Sequence, residues 1–237
     1  ALSLYASGER EAADALILSS LGDLDRCGAL VPALGAHHYQ AVLTAAGKAS
    51  FPEAEKRASR WLEKYPEDFD HLFLLGQVRY QMRKWPQAAE SFRAAAAIRP
   101  RSAEVLRWLS QTSAQMGAQD EGVRVVKRSL EAIRFPAGDY GNHPLARTVL
   151  GNAIAVLHRF QEYELLAEVA GAYRGKFGDA GEAAMAEGVA LANIGRYGEA
   201  EPLLRQASGD PANAENADEI DLSLGLALSK QSKWAEA

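Results

Sequence analysis

The sequence predicts an all-α protein built as a solenoid, in which antiparallel helix-turn-helix units stack one against the next. Three observations support this fold class. A pattern of small and apolar residues repeats along the chain, prolines such as Pro66 and Pro100 recur at the interval of this repeat, and the composition is rich in alanine with only nine prolines. Since one such unit cannot bury its own apolar face, neighbouring units must stack.

The clearest unit is Phe69–Ser102, which predicts two helices and the turn between them. Small side chains at Gly76 and Ala88 would let the two helices approach closely, where larger side chains would hold them apart. Larger apolar side chains are expected to fill the space between the helices, and Pro100 closes the unit. The pattern-bearing positions are Leu72, Leu75, Gly76, Ala88, Phe92 and Ala95.

The N-terminal stretch 1–34 fits the period least well. Residues 1–20 match the stretch that starts at Val189, so the chain is expected to begin inside the first helix of a partial repeat. The following stretch, Leu21–Leu34, is longer than a normal connection. We interpret it as an irregular connection with a short helix that is broken by Pro32.

From Gly35 the period becomes regular, and FPEA at residues 51–54 matches WPQA at residues 85–88. The polar, glycine-containing stretch AGDYGNH is predicted to be an insertion that shifts the register by seven residues. Both ends of the sequence are expected to cut a repeat, as in a fragment of a longer array or a chain without its disordered flanks. The predicted repeats are 35–68, 69–102, 103–136, 144–180 (divergent), 181–217 and 218–237 (truncated), with the insertion at 137–143.

The pattern L-x-x-L-G, then A-x-x-x-F-x-x-A, then proline resembles the tetratricopeptide repeat (TPR), with about five full and two partial copies over nearly the whole chain. The interval between copies, about 34 residues, is also the period of that family. Three residues depart from the family pattern. Arg79 stands where the family favours Tyr, Ser110 replaces the Gly, and Tyr163 replaces the Ala. Tyr163 is therefore expected to open its helix pair slightly.

The resemblance implies a right-handed superhelix whose first helices line a concave groove for a peptide or a partner helix. Amide side chains suit such a groove because they donate and accept hydrogen bonds to a peptide backbone, and aromatic side chains add contact area. The positions that match the family's groove positions are Tyr39, Gln40, Phe73, Gln77, Tyr80, Gln81, Arg107, Trp108, Gln111, Gln115, Thr148, Asn152, Met185 and Asn193.

These residues have two other interpretations. They can be solvated helix faces, with Phe73 and Trp108 packed against the adjacent repeat. They can also form a clamp for a terminal carboxylate, as in the TPR proteins that act as chaperone adaptors. The sequence argues against the clamp, because Val149 stands where an Asn is needed and Glu182 where a Lys is needed. An acidic residue would repel the carboxylate of the ligand.

The net charge of −5 does not indicate a nucleic-acid partner. Residues 35–136 carry sixteen Lys and Arg against eleven Asp and Glu, a net charge of +5, whereas the rest of the chain carries −10. A basic middle could steer an acidic partner. The alternative is a solvated outer face, because Arg57, Arg60, Lys64, Arg93, Arg124, Lys127 and Arg128 all fall on predicted second helices.

No catalytic, metal or cofactor motif is present, so neither an enzyme nor a bound cofactor is predicted. The histidines His37, His38, His71, His143 and His158 lack the spacing of a zinc site, and Cys27 is expected to be a small buried hydrophobe. GxxxxGK[ST], GxGxxG and GxSxG do not occur. No apolar run is long enough for a membrane span. The compartment, cytoplasmic or periplasmic, stays open.

These observations favour a non-catalytic scaffold that binds a peptide or helix of a protein partner in its groove. A second hypothesis is an accessory TPR arm of a larger enzyme of the glycosyltransferase or sulfotransferase type, or of an envelope secretion or polysaccharide-export assembly. A third is self-association through the apolar stretch Leu222–Trp234.

Overall fold

The protein is described here by a computed structural model that covers residue 12 and residues 31–48, 50–137, 139–178 and 181–231. Cys27, Trp234 and nearly all of the first partial repeat lie outside these residues. Within them the chain forms eleven α-helices, two short 3₁₀ helices and no strand. The helices are α1 (Val31–Gly47), α2 (Phe51–Lys64), α3 (Phe69–Gln81), α4 (Trp85–Ile98), α5 (Ala103–Met116), α6 (Gln119–Ala132), α7 (Ala146–Arg159), α8 (Tyr163–Phe177), α9 (Gly181–Asn193), α10 (Tyr197–Ser208) and α11 (Ala217–Lys230), and the 3₁₀ helices are Tyr140–Asn142 and Pro211–Asn216.

The chain divides into an N-terminal body, Ala1–Pro100, and a C-terminal body, Arg101–Ala237. Within each body, successive helices pack against each other and alternate helices also touch. Thus α1 contacts α3 in the N-terminal body, and α5, α7, α9 and α11 contact one another in sequence in the C-terminal body. The predicted all-α solenoid is confirmed by this packing.

Helix starts follow from local chemistry. The Asp68 carboxylate accepts a hydrogen bond from the backbone N–H of His71 (3.1 Å) and caps α3. Prolines stand in the first turn of α2 and of α4, where a missing N–H costs nothing, so the motifs FPEA and WPQA each begin a second helix. The short helix predicted within Leu21–Leu34 lies largely outside the described residues, which include Pro32 as part of α1.

The turns inside the helix pairs share one backbone geometry. Arg83, Gly117, Gln161 and Gly195 have positive φ values of 57°, 70°, 58° and 84°. At each turn the next residue donates its backbone N–H to the carbonyl five residues before it, as Lys84 does to Arg79 at 2.9 Å. This bond satisfies a carbonyl at the helix end and requires the left-handed residue. These four residues therefore mark the register of the repeats.

This register corrects the sequence alignment of one repeat. The interval from Gly117 to Gln161 exceeds that from Arg83 to Gly117 by ten residues, so the insertion lengthens the period by ten rather than by seven. Tyr163 consequently begins α8, as Trp85 begins α4, and does not replace the small residue Ala88. The expectation that Tyr163 opens its helix pair rested on the wrong register. Thr148 and Asn152 still fall on groove positions, the second and the sixth of the repeat. In this register Asn152, and not Val149, stands where the carboxylate clamp needs an Asn, so of the two residues cited against the clamp only Glu182 remains.

Close packing at the small residues is confirmed in both bodies. A Cβ atom added to Gly76 would lie 2.5 Å from the Phe92 ring, and one added to Gly188 would lie 2.9 Å from Leu204. Phe92 and Leu204 are both fully buried. Glycine is needed at these two positions because any larger residue would push the paired helices apart.

Arg79, which departs from the family pattern, connects three helices of the N-terminal body. Its guanidinium donates to Glu55 of α2 at 3.1 Å and to the Ser91 hydroxyl of α4 at 2.9 Å. Lys84 donates to the other oxygen of Glu55 at 2.6 Å. Burial alone would raise the pKa of Glu55, but its hydrogen bonds and attraction to Lys84 and Arg79 lower it below the ordinary value. The carboxylate is therefore held ionised between two cations.

None of the helices in the described ranges is both long and apolar enough to cross a membrane.

Candidate functional site: a cavity beside a buried histidine pair

A buried pair of histidines joins α1 to α3 in the N-terminal body. The Nδ1 atom of His38 lies 3.0 Å from the Nε2 atom of His71, within hydrogen-bond distance. His38 is 0% exposed and His71 is 1% exposed. One nitrogen must donate and the other accept, so both rings cannot be protonated at these two atoms.

Trp61 of α2 packs against both histidines. Its ring stacks on His38 and on His71 with centroid distances of 4.9 Å in each case. The indole Nε1 donates a 2.9 Å hydrogen bond to the Oδ2 atom of Asp68. Because Asp68 also caps α3, one carboxylate holds the end of α2 and the start of α3 together.

The surroundings change the acidity of two of these groups. The pKa of His38 is lowered from 6.5 to about 4, mainly by burial and also by the charge of His71, against the opposing effect of Asp68. Burial would raise the pKa of Asp68, but its interactions with His71 and its hydrogen bond from the Trp61 indole outweigh this effect and lower the pKa to about 2. At neutral pH, His38 is therefore neutral and Asp68 is a carboxylate.

A cavity of about 740 Å³ opens beside this cluster. This volume lies within the usual range of ligand pockets in proteins. Three aromatic side chains line the cavity together with three carboxylates, one lysine and the buried His71. The lining residues are Gly35, Ala36, Tyr39, Gln40, Trp61, Lys64, Tyr65, Pro66, Glu67, Asp68, Asp70 and His71.

Two of the predicted groove residues, Tyr39 and Gln40, belong to this lining. The Tyr39 ring meets the His71 ring edge-on at 5.6 Å, and Gln40 is exposed. The other predicted residues of the N-terminal body lie on α3. Phe73 packs on Phe92 of its own repeat (5.9 Å) and Tyr80 meets Trp85 edge-on (4.7 Å). Gln77 is half-buried and Gln81 is exposed.

In the C-terminal body, α5 carries four of the predicted residues. The guanidinium of Arg107 lies 4.7 Å from the Trp108 ring centroid, a cation–π contact. Gln115 is exposed, whereas Gln111 is half-buried and its Oε1 atom is buried without a hydrogen-bond partner. A buried acceptor of this kind is satisfied when a ligand supplies an N–H.

The remaining predicted residues differ in whether their side chains are exposed to a ligand or already engaged within the protein. Asn152 of α7 donates a 2.9 Å hydrogen bond to Ser110 of α5, so its amide nitrogen already links two stacked helices. This bond also accounts for a serine where the repeat pattern favours glycine. Thr148 and Asn193 are exposed, although Asn193 donates to the backbone oxygen of Val189 at 2.8 Å. Met185 is 4% exposed and belongs to the core, so we exclude it from the candidate site.

Sequence reasoning missed the histidine pair, although a signal was present. The separation of His38 and His71 along the chain is one residue short of a full period. They therefore occupy neighbouring positions in consecutive repeats, and stacking of the first helices brings them together.

The described ranges contain no cluster of three or more His, Cys, Asp or Glu side chains that could hold a metal ion.

Comparison with known proteins identifies the fold. No family model matches the chain, and no curated protein matches it either. Solved structures do match. MamA is 14% identical with a TM-score of 0.62, covering 76% of this chain and 92% of its own. YrrB, described as a TPR protein with an unusual peptide-binding site, is 12% identical with a TM-score of 0.62, covering 83% of this chain and 91% of its own.

A further match is MamA from Desulfovibrio magneticus RS-1, from residue 41 to its end. It is 14% identical with a TM-score of 0.55, and the match covers 71% of this chain and 88% of that protein. At these identities the likeness concerns the fold alone. The chain has the helix-turn-helix solenoid fold of TPR proteins, as the repeat pattern predicts.

Proposed function

We propose that this chain is a non-catalytic scaffold for protein–protein interaction that holds a peptide segment of a partner on the surface beside α1 and α3. The observation that carries the proposal is the cavity next to His71, whose lining includes Tyr39 and Gln40. Its aromatic walls offer contact area, and the Gln40 amide can pair with a peptide backbone. The peptide-binding site named for the similar fold of YrrB is consistent with this use.

The C-terminal body supports a second contact region on its own first helix. Arg107, Gln111 and Gln115 lie on α5, and the buried Oε1 atom of Gln111 is an acceptor that a peptide N–H would satisfy. We propose that α5 contributes backbone-directed contacts, which tolerate a range of peptide side chains.

A peptide-library selection on the full chain tests the proposal. Recovered peptides should bind the Gln40→Ala/Gln77→Ala and Arg107→Ala/Gln111→Ala variants about tenfold more weakly than the wild type, since each variant removes directed hydrogen bonds. The matched control is Gln87→Ala/Arg124→Ala, which changes the same residue types on the second helices α4 and α6 and should bind normally. Circular dichroism checks that every variant keeps its helicity.

Failure to recover any peptide, or equal binding by all variants, would contradict the scaffold proposal. The accessory-arm hypothesis stays a prediction, and the complete reading frame of the gene tests it directly.

A further inference from the structure

We propose that the cavity beside α1 and α3 receives a basic side chain, lysine or arginine, from the bound peptide. This inference rests on the proposed function and specifies the chemistry of the partner. It goes against the expectation from the overall charge, because residues 35–136 carry a net positive charge that would by itself favour an acidic partner.

The charge of the lining supports a cationic occupant. Glu67, Asp68 and Asp70 contribute three carboxylates, whereas Lys64 is the one Lys or Arg among the lining residues. Asp68 is ionised throughout the physiological range. Because ionic interactions weaken with distance and screening, the nearest charges decide which ligand is favoured, and here they are mainly negative.

The walls of the cavity suit the long, partly apolar stem of a basic side chain. Tyr39, Trp61 and Tyr65 line it, so a methylene chain can lie along aromatic surface while its charged end reaches the carboxylates. A cation over an aromatic face is attracted by the negative charge of the ring face. The cavity therefore offers both parts of a lysine or arginine side chain a favourable environment.

At the start of α3 the protein already holds one of its own arginines, Arg99, against an aromatic ring and a carboxylate. The guanidinium carbon of Arg99 lies 3.7 Å from the centroid of the Phe69 ring, and its Nη1 atom is 4.0 Å from Asp70. Both side chains of that ion pair are more than half exposed. Arg99 shows that the start of α3 can hold a cation between an aromatic ring and a carboxylate.

His71 supplies an independent indication of a hydrogen-bond donor in the ligand. It lines the cavity and is 1% exposed, yet its Nδ1 atom makes no hydrogen bond. The Oδ2 atom of Asp68 lies 3.1 Å from Nδ1, but no hydrogen bond joins the two atoms. When His71 donates from Nε2 to His38, its Nδ1 atom is an acceptor beside a carboxylate. An ammonium or guanidinium N–H can satisfy both acceptors at once.

The test uses peptides selected on the full chain. Each peptide is synthesised in two versions: one keeps its basic residues, and in the other arginine is replaced by neutral citrulline and lysine by neutral norleucine. We expect the neutral peptides to bind at least tenfold more weakly. We also expect the Glu67→Gln/Asp70→Asn variant to lose most of this difference, because the neutral cavity no longer distinguishes the two peptides. The matched control, Glu63→Gln/Asp120→Asn, removes two carboxylates outside the cavity and should keep the full difference.

The outcomes separate this inference from the proposed function. One outcome would overturn the inference and leave the scaffold function standing. In it, the selected peptides bind the Gln40→Ala/Gln77→Ala variant weakly, but their charged and neutral versions bind the wild type equally well. Recovery of no peptide would overturn both. A preference for arginine or lysine that persists unchanged in the Glu67→Gln/Asp70→Asn variant would also overturn the inference, because the cation would then be recognised elsewhere.

Discussion

The Nδ1 atom of His38 and the Nε2 atom of His71 lie 3.0 Å apart in a solvent-free contact that joins α1 to α3. Each ring comes from a first helix of consecutive repeats, and Trp61 of the intervening second helix stacks on both. The contact therefore fixes three helices relative to one another next to the proposed binding cavity. Since the pKa of His38 is lowered in this contact, the stability of the N-terminal body should depend on pH.

We expect acidification to destabilise the protein through His38. Burial is the main reason that its pKa is lowered from 6.5 to about 4. Between these two values the unfolded chain binds the extra proton, so this contribution is complete above pH 6.5 and is lost as the pH falls towards 4. At about 1.4 kcal/mol per pKa unit, the loss amounts to about 3 kcal/mol. Urea unfolding at pH 7.5, 6 and 5 measures the first part of this loss, about 2 kcal/mol by pH 5.

The His38→Asn variant is the control for this pH dependence, because its amide can still reach His71 but does not titrate. Its free energy of unfolding should change much less over the same range. The lowered pKa of Asp68 affects stability in a different, more acidic pH range. Its stabilising contribution is present above pH 3.8 and is lost only as the pH falls towards about 2. An unchanged pH dependence in His38→Asn would show that His38 is not responsible.

Overpacking at Gly188 should destabilise the α9–α10 pair. An added Cβ would already lie 2.9 Å from Leu204, which is fully buried, so Gly188→Leu should cost about 2–3 kcal/mol in thermal or urea unfolding. Ala200→Leu should act similarly, because Ala200 is fully buried between helices. Gly175→Ala is the control in α8, where nothing lies within 4 Å of an added Cβ, and it should stabilise by about 0.5–1 kcal/mol. An unaltered melting temperature in Gly188→Leu would contradict the packing.

Arg83→Gly should stabilise the protein by about 0.5–1 kcal/mol. Arg83 has a φ of 57°, a left-handed conformation that glycine adopts without the steric cost of a Cβ atom. Gly117 and Gly195 already occupy the equivalent turns. The converse change, Gly117→Arg, should lower the melting temperature by a similar free energy. If both changes were destabilising, the turn geometry would not be the deciding factor.

Self-association should depend on Leu222, if it occurs through α11. This side chain is 75% exposed, and Leu226 on the same helix is 36% exposed. Burying them between two copies would be favourable by about 25 cal/mol per Å² of apolar surface. Sedimentation velocity over a concentration series should show association in the wild type and a monomer in Leu222→Glu. A wild-type monomer at high concentration would dismiss this interface.

The sequence alone determined the fold class and most of the helix pairs. The signals involved are local: prolines in first turns, glycines at turns and small residues at fixed offsets such as Gly76. Each of these signals acts on the conformation of its own segment or on the packing of the adjacent helix. It can therefore be interpreted without knowledge of contacts that are distant in sequence. For this reason the regular repeat period was sufficient to predict stacked helix pairs.

Only the tertiary structure decided the register after the insertion and the character of the candidate site. Phe160 resembles Trp85 in sequence, but the left-handed residue Gln161 places the turn there, and Phe160 instead covers Gly122 of the preceding pair. The histidine pair, the neighbouring carboxylates and the cavity likewise arise where stacked helices meet. Their burial and their charges depend on residues distant in sequence, because packing between helices determines both.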